Sequence, residues 1–123
     1  MTTATPATFT TEVGKDRNGT TRALSVALLG FDNRQLRIET RKHGIYGGVY
    51  CNACVVTLNA TGYSHAIGVG RGGDFSKTLL HERGARATVQ AIERMHRECM
   101  ANAAAVLAEA IAYYPQPVAQ AAA

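Results

Sequence analysis

The sequence predicts an α+β fold in which an antiparallel four-stranded β-meander is followed by one long or two C-terminal helices. Between residues 20 and 69, apolar and β-branched segments of strand length alternate with turn sequences. From residue 76 to residue 114, apolar residues recur instead at helical spacing, and prolines 115 and 117 end that pattern. A chain of 123 residues with 46% hydrophobic composition is long enough for one domain with a core and too short for two.

The two ends of the chain differ in composition from its centre. Residues 1–19 are rich in Thr, Ala, Pro and Gly without periodicity, so we expect a flexible N-terminal segment with one short strand near residues 9–13. Residues 115–123 follow the last helical pattern and are expected to form a disordered tail. A single α+β ligand-binding and oligomerisation domain is therefore expected over residues 20–114.

The strands of the meander are bounded by turn residues. The first two are predicted at residues 22–31 and 35–41, joined at the turn pair Asp32-Asn33. A long strand is predicted at 49–59, and a fourth at 63–69 leads into a glycine-rich run. Because strand side chains alternate between faces, Arg37, Glu39 and Arg41 would share one face.

The helical pattern is too long for one straight helix in so small a domain. A helix from residue 76 to residue 114 would measure roughly 60 Å at 1.5 Å per residue. We expect either a break near residues 97–102 into a packed hairpin, or a far half that contacts another subunit. Residues 103–111 are apolar around most of the helix circumference, which favours a break combined with an oligomeric interface.

Charge and cysteine usage limit the classes of function. The net charge of +4 comes mainly from arginine, and eight cations lie in the middle of the chain. These are Arg34, Arg37, Arg41, Lys42, Arg71, Lys77, Arg83 and Arg86. They indicate an anionic partner, with a solvated charged surface as the alternative. Three cysteines, no apolar leader after Met1 and no apolar segment of membrane-spanning length predict a cytoplasmic protein without membrane contact.

The glycine-rich run from Gly68 to Lys77 is the strongest candidate site, because it joins a predicted strand to the start of a predicted helix. Glycines let the backbone approach a ligand closely, and the first turn of a helix offers free amides to a phosphate. Arg71 and Lys77 would add full charges. The alternative is a plain strand-to-helix turn capped by Asp74 or Ser76.

Several catalytic and metal-binding motifs are excluded by their context. The glycine run lacks the second parallel strand of a dinucleotide-binding unit and the Gly-Lys-Ser/Thr of a P-loop. Cys51 and Cys54 have zinc-ligand spacing, but residues three apart on a strand point to opposite faces. No nucleophile elbow or other catalytic set is present. We therefore expect no enzyme activity, no cofactor and no metal.

Aromatic and basic residues outside the run could complete a ligand site. Tyr46, Tyr50, Tyr63 and Phe75 lie near basic residues, and Phe75 is the best candidate for a platform on which a base stacks, with core packing as the alternative. Arg37 and Arg41 form either a second cationic patch or ion pairs around Glu39.

Residues 42–87 resemble the phage-encoded Thoeris anti-defence proteins of the first described type. The matching features are Gly47-Gly48-Val49-Tyr50, the run from Gly70 to Lys77, and the basic segment that follows it. The resemblance covers under half of the chain. It implies a small β-sheet with C-terminal helices that assembles through dimers into a hexamer. It also implies binding of cyclic ADP-ribose isomers without degradation, and of cyclic oligonucleotides at separate sites between subunits.

These observations define an expected ligand site and function. The site comprises Gly70, Arg71, Gly72, Gly73, Asp74, Phe75, Ser76, Lys77, Arg83, Arg86, Arg37, Arg41 and Tyr46. The expected function is sequestration of bacterial immune signalling nucleotides in the cytosol of an infected host, with nucleic acid not expected as a partner. The alternative is a small basic inhibitor that binds a bacterial defence effector or nucleic acid. A nucleotide-cleaving enzyme is a third reading.

Overall fold

The fold of this chain is α+β, as the sequence predicts. A computed structural model describes residues 9–15, 19–58, 64–65 and 75–115. Its elements are β1 (Thr10–Lys15), β2 (Thr21–Leu28), β3 (Arg34–Lys42), β4 (Val49–Leu58), β5 (Ser64–His65), β6 (Ser76–Glu82), α1 (Val89–Met100) and α2 (Ala103–Tyr113). All strand pairs are antiparallel and belong to one open sheet. The sheet has the order β1-β2-β3-β4, and β5 and β6 both pair with the remaining side of β4. Its six strands thus occupy five positions across the sheet, one more than the four strands of the predicted meander.

The N-terminal half of the sheet follows the predicted meander. The turn between β2 and β3 carries Asp32 and Asn33 at φ of 55° and 54°, a left-handed conformation that Asp and Asn tolerate better than most residues. β1 confirms the short strand expected near residues 9–13, and all six of its residues pair with β2. Residues 1–8 and the C-terminal tail from 116 onward lie outside the described part of the chain.

The predicted helix start at Ser76 is wrong, because Ser76–Glu82 forms β6 and pairs with β4. The pairing places Leu80 beside Cys51 on the covered face of the sheet, where an apolar side chain is buried. Such tertiary packing overrides the local pattern. The first helix begins instead at Thr88, whose side-chain hydroxyl accepts a hydrogen bond from the amide of Ala91 at 3.1 Å. Of the predicted strand at 63–69, the structure describes β5 alone, paired with Thr57 and Leu58.

The expected break in the helical region is confirmed. α1 ends at Met100, and α2 begins at Ala103 after two turn residues. α1 buries Ile92, Met95, His96 and Cys99, while α2 buries Ala103, Val106 and Ala110. These residues recur at three- and four-residue spacing, so each helix packs one side against the sheet.

The core lies between the helices and one face of the sheet. Alternate residues of β3 and β4 are fully buried there: Leu36, Ile38, Thr40, Val49, Cys51, Ala53 and Val55. The intervening residues, among them Arg37, Glu39 and Arg41, are half-buried on the opposite face, called the outer face below. Within the described residues, neither helix combines the length and apolar character needed to cross a membrane.

Candidate functional site

The described members of the predicted site do not lie together. Phe75, Ser76 and Lys77 are at the first end of β6, and Arg83 follows its last residue. The length of β6 separates the two groups by about 20 Å at ~3.3 Å per residue. Gly70, Arg71, Gly72, Gly73 and Asp74 lie outside the described residues. Because a strand and not a helix follows them, the helix N-terminus that was expected to help bind phosphate is not there.

The first end of β6 is packed into the protein. Phe75 is only 6% exposed, its amide donates a hydrogen bond to the Tyr114 hydroxyl at 3.0 Å, and its ring meets that of Tyr113 edge-on at 5.6 Å. This is the core-packing alternative, and it leaves no ring face for a base. Ser76 is exposed, and the exposed Lys77 ammonium donates to a Glu109 carboxylate oxygen at 3.0 Å.

At the opposite end of β6, the loop of residues 43–48 between β3 and β4, called the β3–β4 loop, folds against the strand. Gly47 and Gly48 have φ of 75° and 77°. A Cβ atom on Gly48 would lie 2.1 Å from the carbonyl oxygen of Glu82 and 2.6 Å from the Cα atom of Arg83. Glycine at position 48 therefore lets the loop approach the end of β6 closely.

Side chains from the loop and the strands form a cluster of His43, Tyr46, Tyr50 and His81, called the histidine–tyrosine cluster. The His43 ring stacks on His81 with centroids 4.8 Å apart and planes 18° apart, and it contacts the rings of Tyr50 at 4.7 Å and Tyr46 at 5.2 Å. Sheet register explains this arrangement, because Tyr50 lies directly opposite His81 on the neighbouring strand.

Backbone hydrogen bonds orient both histidine rings. His43 Nδ1 accepts from the amides of Ile45 and Tyr46 at 3.2 and 3.1 Å, which places the proton of the neutral ring on Nε2. His81 Nε2 lies 3.1 Å from the carbonyl oxygen of Gly47 and must donate to it, because a carbonyl only accepts. The cluster thus contains one stacked histidine pair whose rings are oriented by backbone groups of the β3–β4 loop.

Cations surround this cluster. The Arg83 guanidinium lies 4.9 Å from the centroid of the Tyr46 ring, which is 61% exposed. Arg41 is opposite Tyr50 in the sheet register, with Arg22 on its other side. Arg86 is exposed three residues beyond Arg83. The structure therefore brings Arg41, Tyr46 and Arg83 of the predicted site to the same end of the sheet.

A cavity of about 330 Å³ lies beside the cluster and is called the sheet-end cavity. It is lined by Thr20, Arg41, Lys42, Gly44 and Tyr50. Its volume falls at the lower end of the range for small-molecule pockets, about 300–1,000 Å³. Two cationic side chains and one aromatic ring on its wall suit an anionic ligand that carries a ring.

Arg37 belongs to the outer face and not to this end of the sheet. It lies opposite Val26 and Cys54, and Glu39 is between it and Arg41 on the same face. Glu39 accepts a hydrogen bond from Arg22 at 2.8 Å, so the patch expected from two arginines contains a carboxylate that already has a cationic partner.

Sequence reasoning missed His43, His81 and Thr20 as site residues. His81 was placed on a helix, which hid its pairing with Tyr50 across the sheet. Thr20 lines the cavity because it lies just before β2, and no local sequence pattern predicts that position. His43, four residues before Gly47, was the available sequence signal for a site here.

A larger cavity lies elsewhere and has a different charge. This groove of about 460 Å³, called the helix groove, runs between β6 and the helices and is lined by Lys77, Leu79, Leu80, Glu98, Cys99, Asn102, Ala105, Val106 and Glu109. Its lysine is paired with Glu109, and Glu98 adds a second carboxylate. The only cation among the described residues that line the groove is already paired with Glu109, so the smaller sheet-end cavity is the better candidate for a nucleotide.

A buried polar cluster links the sheet to α1. His96 is 4% exposed, with Nε2 2.7 Å from the Ser25 hydroxyl and Nδ1 2.8 Å from the Thr40 hydroxyl. The side chains of Cys99, His96 and Thr40 hydrogen-bond to Cys51 and lower the pKa of its thiol to about 5, against the opposing effect of burial. The same contact with Cys51, together with burial, raises the pKa of Cys99.

Across the described residues, no group of three or more His, Cys, Asp and Glu side chains is placed to hold a metal ion. Cys51 is buried on the covered face of the sheet, whereas Cys54 is half-buried on the outer face. The predicted separation of these two cysteines to opposite faces is thus confirmed.

Comparisons of the chain with protein-family models, with curated proteins and with solved structures find no match.

Proposed function

We propose that the protein binds a nucleotide at the sheet-end cavity and holds it without chemical change, and that it thereby sequesters a bacterial immune signal in the cytosol of an infected cell. The observation that carries this proposal is the placement of Arg41, Lys42 and Tyr50 on the wall of one cavity. The histidine–tyrosine cluster and Arg83 lie beside it.

The two cations account for recognition of phosphate. Arg41 offers a planar fork of N–H donors and Lys42 a mobile point charge, and both form stronger hydrogen bonds to charged oxygens than neutral donors do. Each such bond contributes about 1.5–3 kcal/mol. Two of them give a site that prefers phosphates over neutral ligands.

The exposed ring of Tyr46 accounts for recognition of a base. One of its faces lies under the Arg83 guanidinium at 4.9 Å. A base that stacks on a tyrosine contributes about 1–3 kcal/mol by comparison with alanine variants. The stacked His43 and His81 rings support the loop that carries this tyrosine.

Two observations support retention of the ligand as opposed to its cleavage. None of its described lining residues is a carboxylate or a thiol that would act as general base or nucleophile. The resemblance of residues 42–87 to the Thoeris anti-defence proteins supports the same role, and its Gly47-Gly48-Val49-Tyr50 motif lies at this end of the sheet. The ligands to test are cyclic ADP-ribose isomers and cyclic oligonucleotides, with assembly into dimers and a hexamer as part of the same proposal.

Calorimetric titration with these nucleotides tests the proposal. We expect Arg41→Ala and Lys42→Ala each to weaken binding by about ten- to a hundredfold. Lys77→Ala is the matched control, because it removes an exposed cation that lies four residues, about 13 Å, along β6 from His81, the partner of Tyr50. Mass spectrometry of the ligand released by heat should recover it unchanged. Wild-type affinity in a folded double variant would refute the site, and release of an altered nucleotide would refute sequestration.

One observation favours the alternative of a macromolecular partner. Ile45 is 83% exposed and lies next to Tyr46 at the tip of the β3–β4 loop, beside several cations. An apolar side chain in that position suits contact with a protein or nucleic acid surface. This alternative predicts capture of a macromolecule with steep salt dependence, and loss of that capture in Ile45→Ser, while nucleotide titrations give no heat.

A further inference from the structure

Two cysteines that are far apart in the sequence meet in the core. Cys51 is on the covered face of β4, and Cys99 is in the last turn of α1. Both are free thiols, Cys51 fully buried and Cys99 7% exposed. Their side chains are in hydrogen-bonding contact. Neither has a role in the nucleotide site proposed above.

The surroundings of Cys51 favour its thiolate. Three side chains from two elements hydrogen-bond to it: Cys99 of α1, His96 of α1 one turn earlier, and Thr40 of β3. The position of His96 is fixed in turn by Ser25, whose hydroxyl lies 2.6 Å from that of Thr11 on β1. The polar cluster therefore spans β1, β2, β3, β4 and α1. A thiolate, unlike a neutral thiol, is the species that attacks an oxidant.

The thiol pair has a route to solvent. Cys99 is among the residues that line the helix groove, which has a volume of about 460 Å³ and polar side chains at its rim, among them Lys77, Glu98 and Asn102. A small polar oxidant such as a peroxide fits such a groove, whereas a bulky disulfide reagent does not reach the buried partner.

We propose that Cys51 and Cys99 are a peroxide-reactive thiol pair that closes into an interior disulfide between β4 and α1. In the first step the Cys51 thiolate attacks one oxygen of hydrogen peroxide, the O–O bond breaks, and a sulfenic acid and hydroxide form. In the second step the Cys99 sulfur attacks the sulfenic sulfur, the S–O bond breaks, and the Cys99 proton leaves with the oxygen as water. Hydroxide takes a proton from solvent, so one peroxide and two thiols give one disulfide and two water molecules.

The geometry also excludes a disulfide bond between Cys51 and Cys54. Cys54 is only three residues from Cys51, but it projects from the outer face, so a Cys51–Cys54 bond would require β4 to leave the sheet. Oxidation of the folded chain should thus join distant segments and leave Cys54 as a thiol. Dithiothreitol should restore all three thiols.

Peroxide treatment of the Cys54→Ser variant tests the proposal. We expect loss of both remaining thiols, a mass decrease of two hydrogen atoms, and a protease fragment in which the peptides of Cys51 and Cys99 are cross-linked. In the same background Cys99→Ser should leave a sulfenic acid on Cys51 that dimedone traps when the protein is unfolded in its presence, and Cys51→Ser should leave Cys99 unoxidised. Circular dichroism shows which variants are folded.

The pH dependence separates this mechanism from slow oxidation of an ordinary thiol. Because the pKa of Cys51 is lowered to about 5, its oxidation rate should be nearly constant between pH 6 and 8. The oxidation rate of free cysteine in the same buffers should instead rise about tenfold per pH unit below its pKa. Free Cys51 and Cys99 thiols after Cys54 has been oxidised, or a Cys51–Cys54 disulfide, would overturn the proposal.

Discussion

Alanine at Gly48 should destabilise the fold far more than alanine at Gly47, although the two glycines have nearly the same φ, 77° and 75°. Alanine in the left-handed conformation lowers the free energy of unfolding by about 1–2 kcal/mol. The lower conformational entropy of the unfolded chain offsets about 0.4–1 kcal/mol of this loss. No heavy atom lies within 4 Å of a Cβ at Gly47, so that variant should lose only about 0.5–1 kcal/mol.

At Gly48 the Cβ atom would meet backbone and not a movable side chain. The oxygen of Glu82 would be 2.1 Å away, so loop and strand must separate by roughly an ångström. Separation breaks the hydrogen bond from His81 to Gly47 and the last β4–β6 pair, each worth about 1 kcal/mol. We expect a total loss of about 3 kcal/mol.

Urea unfolding followed by circular dichroism measures both variants on one scale. The difference in unfolding free energy between Gly48→Ala and Gly47→Ala should be about 2 kcal/mol, at unchanged slope against urea. Equal losses would show that the loop does not depend on its close approach to β6. Nucleotide affinity should also fall in Gly48→Ala, because Arg83 and Tyr46 lie on the two sides of that contact.

Other features of the fold give further expectations. Thr88→Ala should cost about 1 kcal/mol in urea unfolding through loss of the α1 cap, whereas Asn102→Ala should cost less than about 0.5 kcal/mol, because Asn102 makes no side-chain cap bond to α2. His96→Leu should cost about 1–3 kcal/mol, because it leaves buried hydroxyls without their partner, and a near-neutral result would contradict the buried polar cluster. The folded pKa of Cys51 is below its unfolded value of about 8.5, so its thiolate stabilises the fold above that pH and this contribution is lost as the pH falls toward 5. Stability measured against pH should therefore fall less steeply in Cys51→Ala than in the wild type. Ala108→Glu, on the exposed side of α2, should lower the particle mass in light scattering if α2 forms the expected subunit interface, and an unchanged mass in the folded variant would reject that interface.

The parts of the fold that local patterns specify were predictable. The alternation of apolar and polar residues predicts the buried and outer faces of β3 and β4. The pair Asp32-Asn33 predicts the turn between β2 and β3. The break between the two helices was expected from the length of the helical pattern and the apolar character of residues 103–111, although that length counted residues 76–88, which precede α1. Each of these signals acts within a few residues of its position, so the sequence contains them directly.

The role of residues 76–82 could not be obtained in this way. Apolar residues at 80, 84 and 87 fit helical spacing, yet β6 forms because it pairs with β4 from more than twenty residues earlier. The same error moved His81 away from Tyr50 and hid the histidine–tyrosine cluster. The contact of Cys51 with Cys99 likewise depends on how α1 packs on β4, which no spacing in the sequence encodes.

The order of strands has a consequence for how the chain folds. β2, β3 and β4 are joined by short connections, so their hairpins close small loops at low entropic cost. β6 returns to β4 only after residues 59–75, and contacts of this longer separation form more slowly. Pulse-labelled hydrogen exchange should therefore protect β2–β4 before β6. Since the candidate site is complete only when β6 is in place, a partly folded chain should carry a sheet long before it carries a binding site.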